Sequence, residues 1–407
     1  MTQTGQRVTS RRERERMPFP LVTAAFWSAF DRFVVTPMLF AIAASFHARL
    51  SEAVAVASGY FLAYGCLQPV WGMLSDRFGR VCVLRAALVG SAIGGAVSVM
   101  APSPAVLLVA RCVTGACYGG VNPTVVTYVG DTVAPAAVKQ VLSPFYAAGG
   151  AGTAAGIALG GVLAGLADWR LAFALPMAAA AVLFLLLLRL PESGHAPSAN
   201  PARQIATVLR SRWALLVIAV GFLMGCVIVG CVTFLPSMLQ RHGSSASVAG
   251  LITAVFGLAG LAWAPVYNGL SRRPVPRWIL IAFGGVFATA SLLIAATGPH
   301  LVTVVIAAVL LGGGWIFNNV SLASWATAVV PEARGTAVAL YATGMFVGGG
   351  VTPILAAGPA ERGDYPMIFL TGACVAALTI TVAGAGDRRF STPEAQTTAR
   401  DGAEPPD

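Results

Sequence analysis

Three charged residues lie deep inside long apolar stretches of the chain. Asp31 and Arg32 fall in the first stretch, and Arg111 falls in the fourth. A charge at membrane depth is costly, so each marks a candidate functional site. An apolar setting favours a neutral carboxylic acid, whereas a nearby guanidinium favours the carboxylate, so this grouping can bind and release a proton. The three residues therefore predict a proton-coupling site.

Helices that cross a membrane must position these residues. The chain has 407 residues, of which 57% are hydrophobic and 10% charged, whereas soluble domains carry about 25% charged residues. This excludes a soluble enzyme and a disordered protein, and continuous apolar runs exclude a β-barrel. A spanning helix takes roughly 20 residues. Twelve such runs occur, at about 20–42, 53–73, 82–101, 104–128, 141–165, 170–190, 213–237, 247–268, 278–298, 301–327, 336–357 and 366–384.

Helix geometry brings Asp31 and Arg111 to similar depths. With about 1.5 Å of rise per residue, Asp31 lies roughly 17 Å and Arg111 roughly 20 Å above the cytoplasmic face. We therefore predict a salt bridge between spans one and four, in which Asp31 carries the proton. A static pair that only fixes helix packing is the alternative. Arg32, about 100° around the helix, is grouped with the proton site; contact with an anionic substrate and snorkelling remain open for it.

Basic residues predict the orientation of the chain. Predicted cytoplasmic segments carry 19 lysines and arginines, and the outer loops carry four, Arg49, Arg170, Arg241 and Arg362. The positive-inside rule therefore places both termini in the cytoplasm. The predicted segments are a basic tail at 1–19, a bundle at 20–190, a cytoplasmic linker at 191–212, a bundle at 213–385 and a tail at 386–407.

An internal repeat supports two equivalent halves. Tyr146 follows Lys139 by seven residues in Tyr-Ala-Ala-Gly, and Tyr341 follows Arg334 by seven residues in Tyr-Ala-Thr-Gly. Duplicated six-helix units are typical of secondary transporters, whose substrate site lies near the membrane midplane between the halves. We expect an all-α fold of two pseudo-symmetric six-helix bundles.

The loop after span two carries a specific motif. It reads Gly-Met-Leu-Ser-Asp-Arg-Phe-Gly-Arg from position 72 and resembles the G-x-L-x-D-R-x-G-R signature of the major facilitator superfamily. In that family the loop latches the two halves together. The resemblance makes candidate gate residues of Gly72, Asp76, Arg77, Gly79 and Arg80, with Asp131 as a further partner.

Two further motifs are similar to those of twelve-span drug/proton antiporters. Span four has R-x-x-x-G from Arg111, and span five resembles G-x-x-x-G-P-x-x-G-G from Gly152. There are departures: Ile157 replaces the proline, Val81 replaces a usual basic residue, and the second-half loop 269–277 has lost its acid. The resemblance implies proton-coupled efflux of amphipathic drugs or metabolites by alternating access, without enzymatic activity.

A second resemblance implies a different cargo. Asp31-Arg32-Phe33, Gly130-Asp131 and Phe145-Tyr146 are similar to segments of the Spinster-like lysolipid transporters, although that family's span-four glutamate is not evident. This resemblance implies a lipid or metabolite carrier, which could be a uniporter. A non-transporting receptor or membrane enzyme is the third alternative.

Aromatic and amide residues within the spans are candidates for substrate binding. Steps of four, three and four residues put Arg111, Gly115, Tyr118 and Asn122 on one helical face. Core packing or interhelical hydrogen bonding is the alternative role for such residues. Uncharged aromatic and amide groups suit an amphipathic substrate. The candidates are Trp27, Tyr118, Asn122, Tyr146, Trp315, Asn318, Asn319 and Tyr341.

The expected partners are a small amphipathic molecule, protons and membrane lipid, and a monomer is the expected state. No nucleic acid or cofactor is expected. No metal is expected either, since the four histidines lie in loops or at span boundaries. Residue usage rich in alanine, glycine and arginine, with the single lysine Lys139, indicates a bacterium. We therefore expect the cytoplasmic (inner) membrane of a bacterium.

Overall fold

The computed structural model describes residues 17–193 and 201–391, which contain helices and no strand. Twelve helices in this part of the chain are long and apolar enough to cross a membrane, which confirms the predicted all-α fold. Numbered α1 to α12, they run Phe19–Ser45, Leu50–Phe78, Arg80–Val99, Pro104–Thr132, Val138–Leu166, Trp169–Leu187, Arg212–Arg241, Ala246–Ser271, Arg277–Ala296, Leu301–Val329, Pro331–Arg362 and Tyr365–Phe390. Residues 1–16 and 392–407 of the predicted tails, and 194–200 of the predicted linker, lie outside the described residues.

Capping residues and glycines determine where several helices begin and break. Ser103 and Ser245 accept hydrogen bonds from the N–H groups three residues on, and so cap α4 and α8. Gly79, at φ 98°, separates α2 from α3 because side-chain-bearing residues rarely adopt that conformation. The α4 span is divided at 119–120 into Pro104–Tyr118 and Val121–Thr132.

Glycines hold α5 tightly against α1. A Cβ added to Gly152, Gly156 or Gly160 would lie within 2.4 Å of a carbonyl oxygen of α1. Only glycine at these positions lets the two backbones approach so closely. In the second half, Gly348 of α11 faces the carbonyl oxygen of Phe222 on α7 in the same manner. The spacing of the span-five glycines therefore has a packing role.

The two halves contact each other on the side away from the linker, here called the distal side. The Ser51 N–H on α2 donates to Glu361 Oε1 on α11 at 2.9 Å. The Gln240 side chain on α7 donates to the carbonyl oxygen of Pro37 at 3.0 Å. A Cβ on Gly161 of α5 would meet the backbone of α8 at 2.5 Å. These contacts close the distal side.

On the opposite side, here called the linker side, glycines of α2, α5, α8 and α11 have open space beside them. A Cβ added to Gly72 of α2, Gly149 of α5, Gly269 of α8 or Gly335 of α11 would meet no atom within 4 Å. The linker contains a helix, Pro201–Arg210, which the hydropathy pattern does not predict. The described halves are therefore in contact on the distal side, and these four glycines have no neighbour from the opposite half within 4 Å.

Candidate substrate and proton site

A buried ion pair joins α1 to α4 within the first half. Arg111 donates from Nη1 to Asp31 Oδ1 at 2.8 Å and from Nη2 to Asp31 Oδ2 at 3.0 Å. Nη2 also donates to the Asp31 carbonyl oxygen at 2.7 Å. Asp31 is 1% exposed and Arg111 is fully buried. The pair predicted from helix depth is present, with both carboxylate oxygens occupied.

Aromatic rings and a close helix approach surround this pair. The Arg111 guanidinium lies 4.5 Å from the centre of the Tyr60 ring and 4.6 Å from that of Phe173. A Cβ on Gly115 would lie 2.4 Å from the Tyr60 carbonyl oxygen. The R-x-x-x-G pattern therefore supplies the cation and, one turn later, the small residue that lets α4 approach α2.

Arg32 points to a different environment from its neighbour Asp31. Its guanidinium lies 4.6 Å from the centre of the Tyr64 ring on α2 and 4.9 Å from that of Phe346 on α11. Those two rings pack edge to face with centroids 4.6 Å apart. Since α2 belongs to the first half and α11 to the second, Arg32 lies where the halves meet.

The positive charge of Arg32 is not balanced by any acid described in the structure. The residue is 7% exposed, its Nε has no hydrogen-bond partner, and the one buried carboxylate nearby, Asp31, is paired with Arg111. Each cation–π contact contributes about 0.5–2 kcal/mol, whereas burying an ion costs several kcal/mol. Asp31, Arg32 and Arg111 together leave one positive charge in the interior.

Three polar side chains on α2 complete this region. The hydroxyls of Tyr60 and Tyr64 and Nε2 of Gln68 are buried without a partner in the described structure. Their four-residue spacing puts them on one face of α2. The sequence analysis missed all three, although the Tyr-x-x-x-Tyr-x-x-x-Gln spacing within an apolar span was a usable signal.

The four first-half candidates for substrate contact are dispersed. Tyr118 is buried, and its hydroxyl donates to the Pro176 carbonyl oxygen on α6 at 3.0 Å, so this hydroxyl is engaged within the first bundle. Trp27 packs against Phe30 with ring centroids 5.2 Å apart. Asn122 is half-buried, and Tyr146 is 59% exposed. On the shared face predicted for α4, Arg111 and Tyr118 are thus buried within the first bundle.

The second-half candidates divide into a buried amide and a hydrogen-bonded pair. Asn318 is buried and donates to the Gly314 carbonyl oxygen of its own helix at 3.0 Å. Tyr341 of α11 donates to Asn319 Oδ1 of α10 at 3.3 Å. Trp315 is half-buried on α10. The Asn319–Tyr341 bond therefore links two helices of the second bundle.

The gate motif forms an ionic network at the linker-side ends of α2, α3 and α4. Arg80 donates from Nε to Asp131 at 2.9 Å and also pairs with Asp76. Arg77 is exposed, its guanidinium near the Phe78 ring, and Gly72 faces open space. The described contacts of this network all lie within the first half.

A counterpart in the second half uses an acid that the motif does not contain. Arg277 at the start of α9 donates to Asp387 on α12, with an Nε to Oδ1 distance of 2.8 Å. Asp387 is 1% exposed. The loop after α8 has lost its own acid, so α12 provides the carboxylate from 110 residues along the chain. Sequence reasoning missed this pair because Asp387 falls in the predicted tail at 386–407, where a charge gives no signal.

Residues 21–353 match the family model described as Major Facilitator Superfamily. The chain belongs to this superfamily. It is thus a multi-pass membrane protein. Its fold and its family are typical of transporters of small molecules rather than of enzymes.

Among relatives of this superfamily member, the efflux pump dotC of Dothistroma septosporum is 31% identical over 178 residues, or 42% of this chain and 30% of the relative. A triacylglyceride transporter of Mycobacteroides abscessus is 28% identical over 139 residues, or 30% of this chain and 27% of the relative. The matched stretches thus span less than a third of those curated relatives.

A solved structure of similar fold is a bacterial homolog of the human lysosomal transporter Spinster in an inward-facing and unoccupied conformation. It has a TM-score of 0.74 at 16% identity and covers 91% of this chain and 96% of its own. At this identity the likeness concerns the fold alone.

Proposed function

We propose that this superfamily member is a secondary active transporter that exports amphipathic drugs or metabolites in exchange for protons. The Asp31–Arg111 pair carries this proposal, because it is a carboxylate–guanidinium pair fully buried between two spanning helices. The relatives named as efflux pumps favour the export direction. Transport proceeds by alternating access between the two bundles of one chain, so the transporter works as a monomer.

Protonation of Asp31 is the step that couples proton movement to substrate. A neutral acid no longer provides two charged acceptors to Arg111, so the α1–α4 pair weakens. Asp31 is followed directly by Arg32, which contacts α2 and α11. A shift of α1 is therefore transmitted to the contact between the halves.

The closed distal side corresponds to an inward-facing state if the linker side is cytoplasmic. The positive-inside distribution favours that orientation, with both termini in the cytoplasm of a bacterium. In the outward-facing state the linker-side ends of α2 and α11 approach each other, and the Asp76–Arg80–Asp131 network latches them. Trp27, Trp315 and Asn319, all half-buried on α1 and α10, line the path of the substrate in this proposal.

The test is substrate-evoked proton movement in proteoliposomes containing wild type, Asp31→Asn or a control, Glu332→Gln. Glu332 is an exposed acid in the 3₁₀ turn, Pro331–Ala333, that begins α11. Lipophilic cations, carboxylates and neutral antibiotics are screened with a pH dye inside the vesicles. The proposal predicts a proton signal in wild type and Glu332→Gln that Asp31→Asn loses while still binding substrate. An undiminished proton signal in Asp31→Asn would contradict it.

A lysolipid or metabolite carrier is the second candidate function. The relatives named triacylglyceride transporters favour a lipid-like cargo. Such a carrier would move lysolipid between vesicle leaflets at the same rate after an ionophore collapses the pH gradient. In that case the Asp31–Arg111 pair would be a structural pair.

A further inference from the structure

We infer that Arg32 is the docking site for the anionic group of a carboxylate-bearing amphiphile. This inference rests on the proposed transport function and names its substrate class. The deciding observation is the juxtaposition of a nine-tenths buried guanidinium, two aromatic rings from opposite halves and no acid to pair with it in the described chain. The inference does not depend on the direction in which protons are transported.

The charges of the site select for an anion. Asp31 neutralises Arg111 through two hydrogen bonds to its carboxylate, which leaves Arg32 as the uncompensated charge. A carboxylate accepts paired hydrogen bonds from a guanidinium, so an anion would neutralise the interior. A cationic amphiphile would meet a net positive charge in a low-dielectric setting, where like charges repel strongly.

The neighbouring groups suit the rest of such a ligand. The Tyr64 hydroxyl and Nε2 of Gln68 are buried donors without partners, one helical turn apart on α2. The Tyr64 ring lies 4.6 Å from the Arg32 guanidinium, so its hydroxyl is a donor available to a ligand at this site. The Phe346 ring provides an apolar surface from α11. A ligand bound to Arg32 therefore touches both halves, as alternating access requires.

The experiment is equilibrium exchange across proteoliposomes at equal pH on both sides, which reports the substrate site without a proton gradient. The probes are a dansyl-labelled undecanoate, its methyl ester and the corresponding undecylammonium. The variants are Arg32→Gln, Arg32→Lys and Arg189→Gln, the last an exposed arginine after α6 that serves as a surface-charge control.

Wild type should exchange the carboxylate with an apparent affinity about 10-fold or more above that of the ester, the factor expected of a charge-assisted hydrogen bond. Arg32→Gln should lose this preference and keep the slower ester exchange, which shows that it is folded. Arg32→Lys should recover part of the preference, and Arg189→Gln should match wild type.

Two results would overturn the inference: an unchanged carboxylate-to-ester ratio in Arg32→Gln, or faster exchange of the ammonium than of the carboxylate in wild type. A failure of the proposed proton coupling would give a different result from a failure of this inference. If it is wrong, carboxylate exchange remains dependent on Arg32 while Asp31→Asn leaves the substrate-evoked proton signal intact.

Discussion

The two halves share a fold but differ in where they hold charge. The first half buries Asp31, Arg32 and Arg111 deep within its helices. The second half has its buried ion pair at the linker-side ends of α9 and α12, and its deep polar groups are uncharged. In a duplicated fold, one bundle can therefore hold charged residues deep in the membrane while the other holds only uncharged polar groups there.

The repeat mates Tyr146 and Tyr341 show the same divergence at one position. Tyr341 is 2% exposed and bonded to Asn319, whereas Tyr146 is 59% exposed. The repeated motif predicts equivalent places in the fold, but the local partners differ. Similar sequence thus does not fix similar surroundings.

The largest expected effect comes from breaking the first-half ion pair. Arg111→Gln leaves the Asp31 carboxylate buried without its cation, so unfolding in an SDS titration should require about 3–5 kcal/mol less than in wild type. The double variant Asp31→Asn/Arg111→Gln should recover most of that loss, because neither charge remains. A double variant as unstable as the single one would show that packing, not charge, dominates.

A smaller effect is expected at the linker-side pairs, with the second half the more sensitive. Arg277→Gln removes charged hydrogen bonds to Asp387, which is 1% exposed, and should cost about 1.5–3 kcal/mol. Arg80→Gln should cost less, since Asp76 and Asp131 are each 28% exposed and water can replace the guanidinium. SDS titration of both variants gives the order, and the reverse order would refute this contrast.

The smallest effect separates the two repeat tyrosines. Tyr341→Phe removes the 3.3 Å hydrogen bond to Asn319 and should destabilise the protein by about 0.5–1.5 kcal/mol. Tyr146→Phe should leave the unfolding free energy unchanged within error, because this side chain is largely exposed. Equal effects of the two substitutions would mean that the repeat mates are equivalent after all.

The sequence predicted the fold well because membrane spans depend on long apolar runs, which are local. It also predicted the Asp31–Arg111 contact, since helix rise places both residues at one depth. It did not indicate that Tyr118 bonds to α6, because helix rotation depends on packing by neighbours such as Gly115. Asp387 was missed because it falls in the predicted tail at 386–407, where a charge is not costly and gives no signal. The unpaired state of Arg32 became visible only with α11 in place.

Whether Asp31 takes up and releases a proton is measured most directly by infrared difference spectroscopy on substrate addition. A protonated carboxylic acid has a C=O band separate from that of a carboxylate. The proposal predicts that substrate changes one such band in wild type and in Glu332→Gln, and that the change is absent in Asp31→Asn. Substrate transport by wild type with no change in any carboxylic acid band would contradict it.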